Sequence, residues 1–202
     1  MPLDGSRLRM TVHISSVQLS ADNVAGMDSG FPASLRLRPP RRDDEQPVLA
    51  GHRQMLAADG FTFALDHEPG MPWLDYLQLL ADQQRGLRLP PGHVPSTFLV
   101  AAAGGTVVGR TSIRHVLNES LVLQGGHIGY GVLPAHRRRG YATEILRQSL
   151  IIVRAIGADR VLVTCEDANI GSATVIEKCG GQLDSVIRVG TPARMIRRYW
   201  FD

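Results

Sequence analysis

Cysteine is scarce in this chain. Its 202 residues hold two, Cys165 and Cys179, too few and too far apart for a zinc site or a redox pair, so both read as small buried apolar residues. Lysine is scarcer: Lys178 is the only one, the basic character is arginine, and the net charge of +3 is modest. No apolar run approaches the roughly 18 residues that a membrane helix needs. Met10 to Leu19 is broken by Thr11, His13, Ser15, Ser16 and Gln18, unlike the core of a signal peptide, and a cytoplasmic location is the expectation. Aromatic residues do not interleave with the basic run Arg36, Arg38, Arg41 and Arg42, and no helix-turn-helix or zinc pattern accompanies it. That run reads as a solvated face, with nucleic acid a minor alternative. Neither a Walker G-x-x-x-x-G-K-[ST] nor a dinucleotide G-x-G-x-x-G is present.

What is present is an ordinary globular composition, 44% hydrophobic and 20% charged, in a length that suits one domain with an extension. Residues 1–34 are rich in turn and polar residues, carry no recognisable chemistry, and read as an N-terminal extension of low order. From residue 35 to 202 the pattern is that of one domain. Leu35 to Arg38 alternates as a strand ended by Pro39 and Pro40, and Asp43 and Asp44 open a helix closed by Gly60. Pro72-Trp73-Leu74 opens a second helix, ending near Gly86. Thr97 to Ala102 and Val107 to Val116 read as a hairpin turning at Gly104-Gly105. A strand beginning at His127, a helix from Tyr141 to Ile156 and an apolar strand at Val161-Leu162-Val163 follow. Asn169 suits an N-cap and Gly180 a C-cap, and two closing strands flank Gly190-Thr191-Pro192. The sum is an α/β (α+β) fold with a mixed, mostly antiparallel central sheet flanked by helices.

The stretch His127-Ile128-Gly129-Tyr130-Gly131-Val132-Leu133-Pro134, then Ala135-His136-Arg137-Arg138-Arg139-Gly140-Tyr141-Ala142, organises the rest. A short strand stopped by proline, a basic turn, one glycine and a helix start together build an anion site. Backbone amides of the turn and of the first helical turn point the same way, and the helix dipole adds positive charge. Gly140 allows close approach or positive φ, Ala142 keeps the first turn slim, and the arginines supply phosphate forks.

Arg137, Gly140 and Ala142 fill the pattern [RQ]-x-x-G-x-[GA], and here the chain resembles the GNAT superfamily of acyl-CoA-dependent N-acetyltransferases. Downstream, Asn169, Ser172, Glu177, Lys178 and Gly180 stand where that superfamily carries an Asn, a small residue and a helix ending like Y-E-K-x-G-F. The phrases G-G-H-I-G-Y and R-R-x-G-Y-A-T-E are similar to its small predicted acetyltransferases. The resemblance implies acetyl-CoA as cosubstrate, no metal, and an amine-bearing acceptor as the other partner; a homodimer is compatible with it. It also implies that Arg137, Arg138, Arg139, Gly140, Tyr141, Ala142 and Thr143 hold the diphosphate. A backbone amide near Val132 or Leu133 would polarise the thioester, and Asn169 and Ser172 would touch the cofactor. One departure stands out: the family's thiolate-protonating tyrosine falls at Ile176, leaving Tyr141, Ser172 or solvent for that step.

An alkylamine, with a pKa near ~10, must lose a proton before it attacks. His127 stands where many members of the superfamily carry glutamate and is a candidate base; Tyr130, Asp167 and Glu166 are alternatives. Asp66, Glu68 and Asp75, if they face the acceptor groove, would favour a cationic amine. An acyl-CoA-binding sensor without turnover is the rival reading, motivated by Ile176.

Overall fold

The computed structural model describes residues 35–202. The extension read at residues 1–34 lies outside the described residues. Among the described residues seven strands and five α-helices follow one another as β1 (Arg36–Arg38), α1 (Glu45–Asp59), α2 (Trp73–Gln84), β2 (Ser96–Ala103), β3 (Thr106–Arg114), α3 (Glu119–Leu123), β4 (Ile128–Val132), α4 (Tyr141–Ala155), β5 (Val161–Glu166), α5 (Ile170–Lys178), β6 (Gln182–Val189) and β7 (Arg194–Phe201). The expected α/β fold, with antiparallel pairing and flanking helices, is what the chain adopts.

The central sheet is not continuous. β1-β2-β3-β4 form one four-stranded antiparallel sheet, and β5-β7-β6 form a second of three strands, also antiparallel. Between β4 and β5 the backbone pairing is confined to the residues just before β4, where a single bridge joins Gly126 to Val163 and the His127 amide donates to the Leu162 carbonyl at 2.7 Å. Past that point β4 pairs, among the described residues, only with β3. Its other edge therefore carries backbone groups that no described strand satisfies, a costly arrangement in a folded interior unless something else uses them.

Side-chain alternation explains how one strand serves two layers. On β2, Phe98 and Val100 pack with Val48, Met55, Trp73, Tyr76 and Leu80 from α1 and α2, while Leu99 faces Leu146, Leu150 and Val153 of α4. With both faces covered, the strand reads as a continuous apolar run rather than an alternating one. α4 buries Ile145, Leu146, Ser149, Leu150 and Val153 along one stripe, and the Ser149 hydroxyl is satisfied by the Ile145 carbonyl at 2.7 Å. α1 ends where expected: Gly60 adopts φ 64 and its amide returns to the Leu56 carbonyl.

α3 is the element that periodicity does not announce. It has five residues, too few for a hydrophobic stripe, and is set by its cap, the Asn118 side chain accepting from the Leu121 amide at 3.0 Å. β1, β4 and β5 lie within a few residues of their expected bounds. No described helix is long and apolar enough to cross a membrane.

Candidate active site

The segment between β4 and α4 has the strand end, turn and helix start that the sequence suggests. β4 ends at Val132, a single 3-10 turn covers Pro134–His136, and α4 starts at Tyr141. Between them Arg138 adopts φ 61 and Gly140 φ 79. A left-handed non-glycine residue costs about 1–2 kcal/mol. Among the described residues no side chain caps α4, and the backbone N–H groups from Arg138 to Thr143 meet no acceptor; the helical ladder resumes with Glu144 N–H donating to Gly140 O at 3.2 Å. Consecutive unsatisfied amides at a helix start make an anion-binding nest.

The three arginines divide their work. Arg137 folds back on the protein: its Nε donates to the Val132 carbonyl at 3.2 Å, and its guanidinium pairs with Asp59 at the end of α1. It braces the turn. Arg138 and Arg139 are exposed and pair with no described carboxylate. Tyr141, Ala142 and Thr143 form the partly buried first turn, and the Thr143 carbonyl accepts from the Cys179 thiol at 3.6 Å, which ties the end of α5 to the start of α4.

The open edge of β4 begins where this loop does. Ladder pairs alternate between hydrogen-bonded and non-bonded. Leu133 N–H donates to Val108 O at 2.9 Å and Arg114 N–H to His127 O at 2.8 Å, so Tyr130 and Val132, in the register Thr111↔Tyr130 and Gly109↔Val132, point their amides away from β3. Of the two expected donors, the Leu133 amide is used by the sheet and the Val132 amide is available on the splayed side.

Tyr130 reaches across that splay. Its hydroxyl lies 3.0 Å from the Ser172 hydroxyl on the first turn of α5, and burial pushes its pKa above the usual phenol value despite that hydrogen bond. Ser172 is placed by Asn169, whose side chain accepts from the Ser172 amide at 3.0 Å. Asn169 is exposed, and because Cys179 rather than Asn169 meets Thr143, it stands at the far end of α5 from the arginine loop. Asp167 follows β5 and is held by Arg197 Nε at 2.6 Å. Glu166 pairs with Arg194 at 2.8 Å on the surface. Ile176 is fully buried in the core under α5.

His127 is 7% exposed and its Nδ1 accepts from the Leu162 amide at 2.9 Å. This fixes the tautomer with hydrogen on Nε2 and leaves the neutral ring no unused lone pair. Its pKa lies below the ordinary histidine value, chiefly through burial, with the nearby Arg114 charge acting in the same direction. His52 and His115 are lowered as well, both chiefly through burial. A histidine lowered on folding is neutral in the native state while the unfolded chain still takes up a proton. Its contribution is therefore complete above about pH 6.5 and is lost as pH falls toward the folded value. The melting temperature is expected to drop between pH 7.5 and 5.5. His127→Asn, which keeps an acceptor for Leu162 and removes the titration, should narrow that drop in a thermal scan.

The sequence reading passed over a second set of polar residues on the opposite face of β3 and β4. Arg110 is 3% exposed, donates to the Gly129 carbonyl at 2.9 Å and the Thr62 carbonyl at 2.7 Å, and stacks on Phe61 with 4.5 Å between guanidinium carbon and ring centre. Arg114 donates to the Gly125 carbonyl at 3.1 Å. The signal was available: two arginines four apart in one strand share a face.

The family model for the acetyltransferase (GNAT) domain matches residues 34–182. No curated protein matches the chain. Among solved structures, RimJ from Mycobacterium smegmatis in complex with CoA-disulfide is 22% identical, with a TM-score of 0.59 over 85% of this chain and 88% of that one. The spermidine N-acetyltransferase of Vibrio cholerae in complex with CoA and spermine is 13% identical, with a TM-score of 0.56 over 83% and 94%. The microcin C7 self-immunity acetyltransferase MccE in complex with acetyl-CoA and AMP is 14% identical, with a TM-score of 0.58 over 84% and 92%. These likenesses concern the fold. Together with a family match that takes in most of the chain, and with a nest of unsatisfied amides beside an open strand edge, they lead to one statement: the chain belongs to the GNAT acetyltransferases, enzymes that use acetyl-CoA.

Proposed function

We propose that the protein transfers an acetyl group from acetyl-CoA to a primary amine by direct attack within a ternary complex. The observation that carries this is the run of unsatisfied amides from Arg138 to Thr143 beside the unpaired Val132 amide. The nest fits a diphosphate, Arg138 and Arg139 add charge beside it, and the splay between β4 and β5 leaves backbone donors for an extended arm. Acetyl-CoA supplies an acyl group already activated as a thioester.

The protein's own residues then have separate tasks. Val132 N–H donates to the carbonyl oxygen as negative charge grows there, a contribution of about 3 kcal/mol for a preorganised donor. The amine nitrogen forms the new C–N bond, the C–S bond breaks, one proton leaves the nitrogen and one reaches the sulfur. Asp167, oriented by Arg197 just past β5, accepts the amine proton through water. Tyr130, with its proton retained by burial and its oxygen against Ser172, donates to the departing thiolate and takes the place of the tyrosine that Ile176 displaces. His127, buried and committed to Leu162, clamps the entrance of β4 to β5 so that the strands part beyond it.

Free thiol released from acetyl-CoA in the presence of an amine panel tests the reading; a sensor would bind acetyl-CoA and release no thiol above background. Tyr130→Phe is expected to lower kcat about tenfold while leaving acetyl-CoA affinity unchanged. The loss is partial because a thiol pKa near ~8.5 already makes thiolate a fair leaving group.

A further inference from the structure

Four buried side-chain polar atoms lack any partner among the described residues, and three of them gather in one place: Arg110 Nε, the Tyr76 hydroxyl and His67 Nε2. Tyr76 is fully buried in α2 and packs edge-on against His67 with ring centres 5.0 Å apart. Tyr76 and Arg110 are near enough to feel each other's charge, as are Arg110 and Arg114. Each such orphan would cost about 1–3 kcal/mol if it stayed unmade. Clustering three beside a buried cation points to a ligand rather than to chance.

The charge balance says which ligand. Among the described residues Arg110 has no carboxylate partner, only two carbonyls and a ring, and burial with the neighbouring Arg114 charge pushes its pKa down to about 9. Arg114 is likewise bonded to carbonyls, Gly125 and Gly126. Asp66 lies close enough to Arg114 to raise its pKa, but its carboxylate accepts from Gln83 Nε2 at 2.8 Å and forms no ion pair with it. Asp66 is exposed, His67 and Arg114 are half-buried and Arg110 is buried, so the cluster runs inward from the surface. Glu68 and Asp75 are exposed on the same segment and on α2. The expectation of a groove that favours a cationic amine, read from Asp66, Glu68 and Asp75, gives way to an excess of buried positive charge.

β4 contributes no side chain here. A Cβ on Gly129 would come within 3.2 Å of Arg114 Nη1 and 3.8 Å of Arg110 Nη1, and one on Gly131 within 2.7 Å of the Phe61 ring. The guanidiniums thus lie directly against the strand whose far end presents the Val132 amide. Gly129, which Arg110 touches, stands three positions before Val132, on the order of 10 Å along an extended strand, within the reach of a small acceptor.

We propose, resting on the acetyl-transfer reading above, that the acceptor is an amine that also carries a carboxylate, and that Arg110, Arg114 and Tyr76 hold that carboxylate. The Nε–H and the outer Nη–H of Arg110 form the planar fork that suits a carboxylate, Tyr76 donates a third hydrogen bond, and Arg114 supplies charge toward the surface.

The test uses the full chain with acetyl-CoA, the proteinogenic L-amino acids and their matched α-carboxamides, and reads thiol release. For at least one side chain the acid should exceed its amide by about tenfold or more in kcat/KM. Arg110→Gln should collapse that ratio toward one while acetyl-CoA still binds by titration calorimetry. Should Arg110→Gln not fold, Tyr76→Phe removes only the unpartnered hydroxyl and should narrow the same ratio by a few fold, mainly through KM. Equal or better turnover of the amides, or of diamines lacking a carboxylate, overturns the proposal and leaves acetyl transfer standing. Acetyl-CoA binding with no thiol release from any amine overturns both. Lost turnover in the variants without a change in the acid-to-amide ratio overturns the carboxylate contact alone.

Discussion

Gly140→Glu is expected to weaken acetyl-CoA binding at least about 100-fold in a calorimetric titration while leaving the fold intact. Gly140 stands at φ 79, immediately before the helix whose first amides meet no described acceptor. Any L-residue there carries the left-handed penalty of about 1–2 kcal/mol. A glutamate offsets part of it, because a carboxylate at a helix N-terminus is favourable by about 0.3–1 kcal/mol and can accept from the very amides that a diphosphate would use. The two effects partly cancel in thermal stability, leaving a net cost of about 1 kcal/mol. They do not cancel in binding, where the carboxylate both occupies the nest and repels the phosphates, and a 100-fold loss corresponds to about 2.7 kcal/mol. Gly140→Ala adds the strain alone and should cost about tenfold or less. Wild-type affinity in Gly140→Glu would show that the arginine loop is not the cofactor site, and the acetyl-transfer reading would fall with it.

The loop was legible because its chemistry is local. A proline stop, a glycine three residues after an arginine and a slim alanine two residues later are all consequences of bringing amides to an anion, and they sit within a dozen residues. What the letters did not disclose are relations across the fold. Arg137 looks like its two neighbours in sequence, yet Asp59, 78 residues away, turns it into a brace. His127 looks like a base poised at a strand start, and the Leu162 amide across the splay consumes the nitrogen that a base would use. The division into two sheets is of the same kind. β4 and β5 both read as apolar strands, and only their pairing shows that they part after Val163. Arg110 and Arg114 lay between the two cases: their spacing placed them on one face of β3, but the absence of a buried counter-charge is a fact about three dimensions.

Ile176→Tyr, which restores the residue type of the wider family at this position, is expected to destabilise the protein by about 1–3 kcal/mol and not to raise turnover. Ile176 has no exposed surface and packs in the cluster with Leu146, Val163, Tyr199 and Phe201. The space on its other side is already spent: a Cβ on Gly181 would lie 2.6 Å from Ile176 Cγ2, and the Gly181 amide donates to the Ile176 carbonyl at 3.0 Å. A phenol inserted here must displace the end of α5 or push into the core, the overpacking case, and its hydroxyl needs a partner that the apolar surroundings do not provide. At this chain length the melting temperature should fall by roughly 2–10 °C. Ile176→Val, which removes one methyl group and adds no polar atom, should cost about 1 kcal/mol and serves as the comparison for simple loss of packing. Steady-state thiol release on the same samples separates packing from chemistry. If Ile176→Tyr melts with the wild type and raises kcat, the native enzyme lacks a thiolate acid and Tyr130 does not supply one. If it melts lower with kcat unchanged, while Tyr130→Phe melts normally with kcat reduced, the proton comes from β4, and the isoleucine is the consequence of moving that task off α5.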